Sequence, residues 1–206
     1  MSRVIIVLDF ETTGLPRKKD CQVRPIQVGA VAVTESLETL SSYKALLCPD
    51  VWAPGYDGRP QEIHGISRAQ AELEGASMAE GWFDFAVWLV QTRNDHGDET
   101  SPVDFTSWSS RFDNAIMARW RKAAIPGSNP LGPWQDCTLG KLTAPAGCLQ
   151  TMYRTWTKTQ VGIPTPRFGS LADGCRQTGV EEEQGAVHDA LHDARLALMV
   201  AQRITI

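Results

Sequence analysis

The chain has 206 residues, 42% of them hydrophobic and 21% charged, and a formal net charge of −4. This composition is that of one globular domain able to bury a substantial core, and it excludes a disordered or fibrous chain. The acidic balance argues against a broad basic binding face, and no apolar run is long enough to span a bilayer, so no membrane partner is expected.

The opening residues do not read as a signal peptide, because Asp9 and Glu11 interrupt the apolar stretch and no small-residue cleavage site follows. The five cysteines (Cys21, Cys48, Cys137, Cys148, Cys175) form no CxxC pair. A reduced, cytoplasmic setting is the expectation.

The run Val4-Ile5-Ile6-Val7-Leu8 has five aliphatic residues, four of them β-branched, and reads as a buried central strand. It leads into Asp9-Phe10-Glu11-Thr12-Thr13-Gly14. Side chains alternate along a strand, so Asp9 and Glu11 share a face. Two carboxylates at the end of a core strand repel each other and lose hydration, which is expensive unless a cation sits between them. A site for a hard divalent metal is the simplest reading, since such ions take oxygen ligands. Two solvated acids at a strand end are the plainer alternative.

A second strand follows Pro25, and a third is expected over Thr39–Cys48, giving an antiparallel meander. Residues 49–59 are rich in turn formers and lead into Ile63-His64-Gly65-Ile66-Ser67. Ser77-Met78-Ala79-Glu80 is a capping box, which starts a helix at Met78. Trp82, Phe83, Ala86, Val87, Leu89 and Val90 predict a wide apolar face and a well-buried helix. Val103–Trp108 reads as a fourth strand and Phe112–Lys122 as the helix after it.

Six prolines break the pattern over 124–168, where an inserted loop or small subdomain is expected within a single domain spanning 1–206. Inside it, a short strand is expected near Asp136-Cys137-Thr138 and a helix between Cys148 and Lys158. Helices over Phe168–Thr178 and about Val187–Arg203 complete the chain. Strands first and alternating helices and strands afterwards point to a mixed α/β sheet with helices on both faces.

Two further acids stand out. Asp193 has Ala190, Ala197 and Val200 as its i−3, i+4 and i+7 neighbours, so it lies on a face of small apolar residues that should pack on the sheet, toward Asp9 and Glu11. Asp189, one turn away, suits a solvated surface acid better. Asp113 stands at the start of the helix after the fourth strand, where dipole complementation alone explains an acid. Asp104 and Asp84 compete with it less well, one at the far end of the strand and the other inside a helix without a partner acid.

Asp9-x-Glu11-x-Thr13-Gly14, then Phe112-Asp113, then His188-x-x-x-x-Asp193 together resemble the three-motif signature of the DEDD 3′-to-5′ exonucleases, histidine subgroup. Ile63-His64-Gly65-Ile66 and Asp136-x-Thr138-Leu139 resemble further segments of that family. No tyrosine lies near Asp193, which sets the tyrosine subgroup aside. One departure is Trp108-Ser109, where many relatives carry His-Asn.

The resemblance implies a ribonuclease H-like fold with a central mixed five-stranded sheet. It implies two Mg²⁺ or Mn²⁺ ions held by Asp9, Glu11, Asp113 and Asp193, clamping an in-line displacement. His188 would be the general base, a role suited to a side chain that titrates near neutrality. Thr12, Thr13, Gly14 and Leu15 would hold the terminal nucleotide, with His64 and Phe112 beside it.

The reaction implied is hydrolysis of terminal phosphodiester bonds at single-stranded DNA or RNA 3′ ends, releasing nucleoside 5′-monophosphates. Metal-ligand acids keep such an enzyme acidic while its bound ions restore local positive potential. Arg17-Lys18-Lys19 would meet phosphates of the incoming strand, and Trp52, Tyr56 and Trp134 would stack on bases.

Two rivals remain. A catalytically silent nucleic-acid or polymerase-binding module would share the fold, but the signature residues are all present. A sugar-kinase-like ATPase needs a glycine for the phosphate loop where this chain has Glu11. A polymerase or a second copy as partner is left open.

Overall fold

The computed structural model describes residues 3–15, 22–97, 103–125, 148–161, 169–181 and 188–205. The expected strand near Asp136, the basic run Arg17–Lys19 and Trp134 lie outside these residues.

Strands β1 (Val4–Thr12), β2 (Pro25–Val33) and β3 (Thr39–Cys48) form the expected antiparallel meander. Helices α1 (Arg59–His64) and α2 (Arg68–Glu74) lead to β4 (Ala76–Ser77), which pairs parallel with β3. Next come α3 (Met78–His96), β5 (Val103–Thr106) and α4 (Ser110–Ala124). After them stand α5 (Leu149–Trp156), ending in a π-helical turn over Thr157–Val161, α6 (Leu171–Thr178) and α7 (Ala190–Ile204). The five strands are ordered β4-β3-β2-β1-β5, with β5 parallel to β1. This is the mixed sheet with helices on both faces that the residue pattern implies.

The alternation along β1 divides the core. Val4, Ile6, Leu8 and Phe10 face α3 and α4, in a cluster closed by Phe85, Met117 and Trp120. Ile5 and Val7 face the other way, against Trp108, Tyr153, Ala197 and Val200. A strand apolar on both faces needs cover on both, and for that reason β1 lies inside the sheet with α7 on one side and α4 on the other. Trp120 is fully buried, and its Nε1 donates to the Met78 carbonyl at 3.0 Å, so the largest core side chain is also satisfied as a donor.

Several expectations are corrected. After the turn-rich residues 49–59, two short helices stand at Arg59–His64 and Arg68–Glu74, for which the residue pattern named no element. The capping box at Ser77 and Glu80 is formed, but α3 is not buried all round: Phe83 is 67% exposed, and Asp84 is exposed rather than enclosed. The stripe Met78, Gly81, Phe85, Leu89 and Thr92 is buried, with Trp82 and Trp88 packed beside it, whereas Phe83, two positions from both Gly81 and Phe85, falls on the opposite face of the helix. The last helix starts at Ala190 rather than near Val187, because the Asp189 side chain accepts the His192 N–H and ends the helix there.

Trp120→Ala is expected to cost about 3–5 kcal/mol. Phe83→Ala should stay within about 0.5 kcal/mol. Urea unfolding of the two variants beside the parent checks both.

Candidate active site

Parallel pairing ends with Val7 beside Thr106, so β1 runs past β5 and carries Asp9 and Glu11 beyond the paired region. Both lie on the α7 side of the sheet. In the antiparallel register Asp9 sits opposite Gly29 and Glu11 opposite Gln27, and the pairing is irregular between Glu11 and Thr12. There the chain turns. Thr12 Oγ1 donates to the Gly14 carbonyl at 2.8 Å, the Thr13 N–H donates to the Arg24 carbonyl at 2.9 Å, and the Arg24 N–H returns to Thr13 Oγ1 at 3.0 Å. The two threonine side chains thus shape the turn itself.

Asp193, in the first turn of α7, brings its carboxylate to the same place. Its Oδ2 lies 3.2 Å from His188 Nδ1. Ligand atoms of Glu11, His188 and Asp193 all lie within 4.8 Å of one another. His192 is not part of this group; its N–H is held by Asp189 at 3.1 Å.

Asp113 arrives from the opposite helical layer, in the first turn of α4, directly after β5. It is buried, and neither of its carboxylate oxygens has a hydrogen-bond partner among the described residues. A buried carboxylate without partners costs several kcal/mol unless it is protonated or a cation meets it.

Burial raises the pKa of all four acids, and neighbouring acids add to the rise at Asp9 and Glu11. Burial lifts Asp9 well above the carboxylate range, and the charges of Asp113, Glu11 and Asp193 add to it. Glu11 rises from 4.5 to about 7, through burial first and then Asp193. Asp113 rises from 3.8 to about 7 through burial, although the Ser107 hydroxyl and the N–H dipoles at the start of α4 oppose the rise. Burial also raises Asp193, against the pull of His188. Four oxygen-donor acids held together, one with both oxygens orphaned, fit a site for hard divalent cations. Ion-free, the site stores repulsion.

Beside the acids opens a cavity of about 900 Å³ whose walls include Phe10, Leu15, Arg59, Ile63, His64 and Phe112, with Glu11 at its edge. Leu15 and Ile63 are exposed at 60% and 44%. His64 is buried, and its Nδ1 accepts the Ile66 N–H at 3.1 Å, which places its proton on Nε2. Burial lowers the His64 pKa, so the ring is neutral at pH 7, with the Thr12 carbonyl acting against the drop. Its Nε2 has no partner among the described residues. Thr12, Thr13 and Gly14 also line this cavity, so the expected nucleotide-holding residues are gathered on one wall.

Other expectations fail on geometry. Tyr56 is buried, and its hydroxyl donates to the Ile66 carbonyl at 2.6 Å, which leaves no face for a base. Trp52 packs on Tyr56, with the Arg68 guanidinium 5.0 Å from its ring centre. Asp104 is paired with Arg3, away from the acids. Trp108, where the sequence departs from the motif it resembles, is turned into the core. Its Nε1 donates to the Gly169 carbonyl at 3.2 Å, and its ring fills the space a Cβ on Gly174 would need.

Arg59, on the cavity wall, was not separable from background by spacing alone. Neither were the sheet residues Gln27 and Lys44, which contact the start of α7.

No protein-family model matches the chain, and no curated protein matches it. Solved structures do. Exonuclease I from Methylocaldum szegediense aligns over 98% of this chain and 40% of its own, at 19% identity and TM-score 0.69. E. coli exonuclease I in complex with a dA16 oligonucleotide covers 98% of this chain and 41% of its own, at 16% identity and TM-score 0.69. The zinc-bound E. coli exonuclease I–ssDNA complex covers 98% and 40%, at 17% identity and TM-score 0.69. The chain therefore spans about two fifths of the length of these neighbours. The likeness establishes the fold: the mixed five-stranded sheet with helices on both faces is shared with these exonuclease I structures.

Raised carboxyl pKa values have a measurable sign. Between the ordinary range near ~4 and the folded value of about 7 for Glu11 and Asp113, the folded chain binds more protons than the unfolded one. Stability of the chelator-treated protein is thus highest below that window and is lost as pH rises through it. Melting temperature should fall between about pH 5 and pH 7.5, less steeply in Asp113→Asn. An equal slope in that variant removes Asp113 from the cluster.

Proposed function

We propose that the chain is a divalent-metal-dependent 3′-to-5′ exonuclease of the DEDD histidine subgroup, acting on single-stranded nucleic acid and releasing nucleoside 5′-monophosphates. The observation that carries this reading is the grouping of Glu11, Asp193 and His188, with Asp9 and Asp113 close enough to feel one another's charge, and with Glu11 on the wall of a cavity large enough for a nucleotide. The exonuclease I neighbours crystallised with oligonucleotides support single-stranded DNA as the first substrate to try.

In this reading the four acids hold two Mg²⁺ or Mn²⁺ ions, which when bound neutralise the phosphate and lower the cost of charge developing on the attacking and leaving oxygens. The chain's own residues do the rest. The apolar wall of Leu15, Ile63 and Phe112 takes the terminal base and strips its water, and His64 Nε2 donates to a polar edge of the terminal nucleotide.

His188 Nδ1 lies against Asp193 Oδ2, and that contact orients the ring. With its proton on Nδ1, Nε2 is left to take a proton from the attacking water. The ring is mostly exposed, at 62% of its side chain, so the proton can pass on to solvent. Substrates enter from the open side of the cavity, where Arg59 offers a cation to a phosphate.

A silent module of the same fold is the alternative, and one assay separates the two. The protein is incubated with 5′-labelled single-stranded DNA and RNA of equal sequence, with Mg²⁺, Mn²⁺ or chelator. A metal-dependent ladder shortening from the 3′ end is expected, absent in Asp9→Ala and Asp193→Ala. His188→Ala should lower turnover by about 10²–10⁴-fold and keep the metal-induced rise in melting temperature, whereas His192→Ala should change little. Binding of either strand without degradation would establish the silent module instead.

A further inference from the structure

The start of α7 is mounted on the sheet by residues outside the acid cluster. Across the face beneath it, the strand register sets Asp9 beside Gly29 and Gly29 beside Lys44, with Gln27 beside Glu11. At Gly29 the helix backbone rests directly on β2, since a Cβ there would lie 2.0 Å from the Leu191 nitrogen and 2.2 Å from the Ala190 carbonyl carbon.

Two side chains then tie down the approaching chain. Gln27, itself buried, accepts the Ala190 N–H through Oε1 at 2.8 Å. This N–H opens the helix and has no acceptor within it. Lys44 Nζ pairs with Asp189 Oδ2, while Asp189 Oδ1 caps the His192 N–H. One carboxylate thus joins β3 to the first turn of α7. His188 is the residue immediately before this clamp, and its ring is mostly exposed. Little packing around the ring fixes it, so its place beside Asp193 is set by the backbone that follows.

We propose that Gln27 and Lys44 are positioning residues, which hold residues 189–190 on the sheet so that His188 faces Asp193 and Glu11. This inference rests on the exonuclease reading in its catalytic part and is independent of it in its structural part. A half-exposed ion pair contributes little to global stability, so the effect of Lys44 should appear in turnover and local order rather than in unfolding.

The test uses Lys44→Met, Lys44→Arg and Gln27→Met in the full chain. Hydrogen exchange of the metal-free protein is followed by NMR. In Gln27→Met the Ala190 amide should exchange about 10-fold faster or more, with Leu198 in the middle of α7 unchanged. Unchanged exchange at Ala190 overturns the mounting.

On single-stranded DNA, Lys44→Met should lower kcat by about 10-fold at unchanged KM, with Lys44→Arg restoring most of it. In the His188→Ala background, Lys44→Met should add no further loss, because both act through one ring. A full additional loss there, or parental turnover in Lys44→Met alone, overturns the positioning role. If the parent chain degrades no strand, the exonuclease reading has failed, and the exchange measurement still decides the mounting.

Discussion

Mutual repulsion among four carboxylates is the constraint around which the rest of this fold is arranged. Asp9, Glu11, Asp113 and Asp193 come from three separate elements; burial raises each of them, and the charges of the other acids raise Asp9 and Glu11 further. No local sequence preference would gather these groups, so something stronger must hold them. That is the double-sided burial of β1, whose apolar side chains are clamped between the layers of α4 and α7. Burying those side chains is worth roughly 1.5–3 kcal/mol each, enough to offset a cluster of unfavourable charges at the strand's end.

The route by which each acid arrives sets what the site can do. Asp9 and Glu11 ride on a strand buried on both faces, and Asp193 on a helix whose backbone touches the sheet at Gly29. Asp113 reaches round from the other layer, so the cluster joins both halves of the core. Polar demand is concentrated near this point: Asp113 is buried with neither oxygen paired among the described residues, and His64 lines the cavity beside Glu11. An apolar wall, a neutral imidazole donor and a patch of acids that needs cations together suit a ligand with a flat base and a phosphate.

Much of this was readable from the residues. The aliphatic run ending in Asp9 and Glu11 announced a core strand with acids on one face, because alternation and burial leave few other readings. The small residues around Asp193 announced a helix face that must lie close to the sheet. Less was readable where tertiary context decides. Phe83 belongs to an apolar pattern, yet it stands on the face of α3 opposite the buried stripe through Gly81 and Phe85. Tyr56 sits in a turn-rich stretch and is consumed by its bond to Ile66. Gln27 and Lys44 carry no motif; their part depends on register across two strands, which spacing along one chain does not reveal. Trp108 carries no spacing signal of its part, which is to stand as a buried pillar between α5 and α6.

The central claim is that the acid cluster holds protons until divalent cations replace them. The direct test is calorimetric titration of Mn²⁺ into the chelator-treated, dialysed protein near pH 6.5, in two buffers of different ionisation enthalpy. Proton release on binding is expected, since groups raised to about 7 are partly protonated there, and the release should vanish near pH 8.5. Binding without proton release at either pH, or no binding at all, would contradict the account.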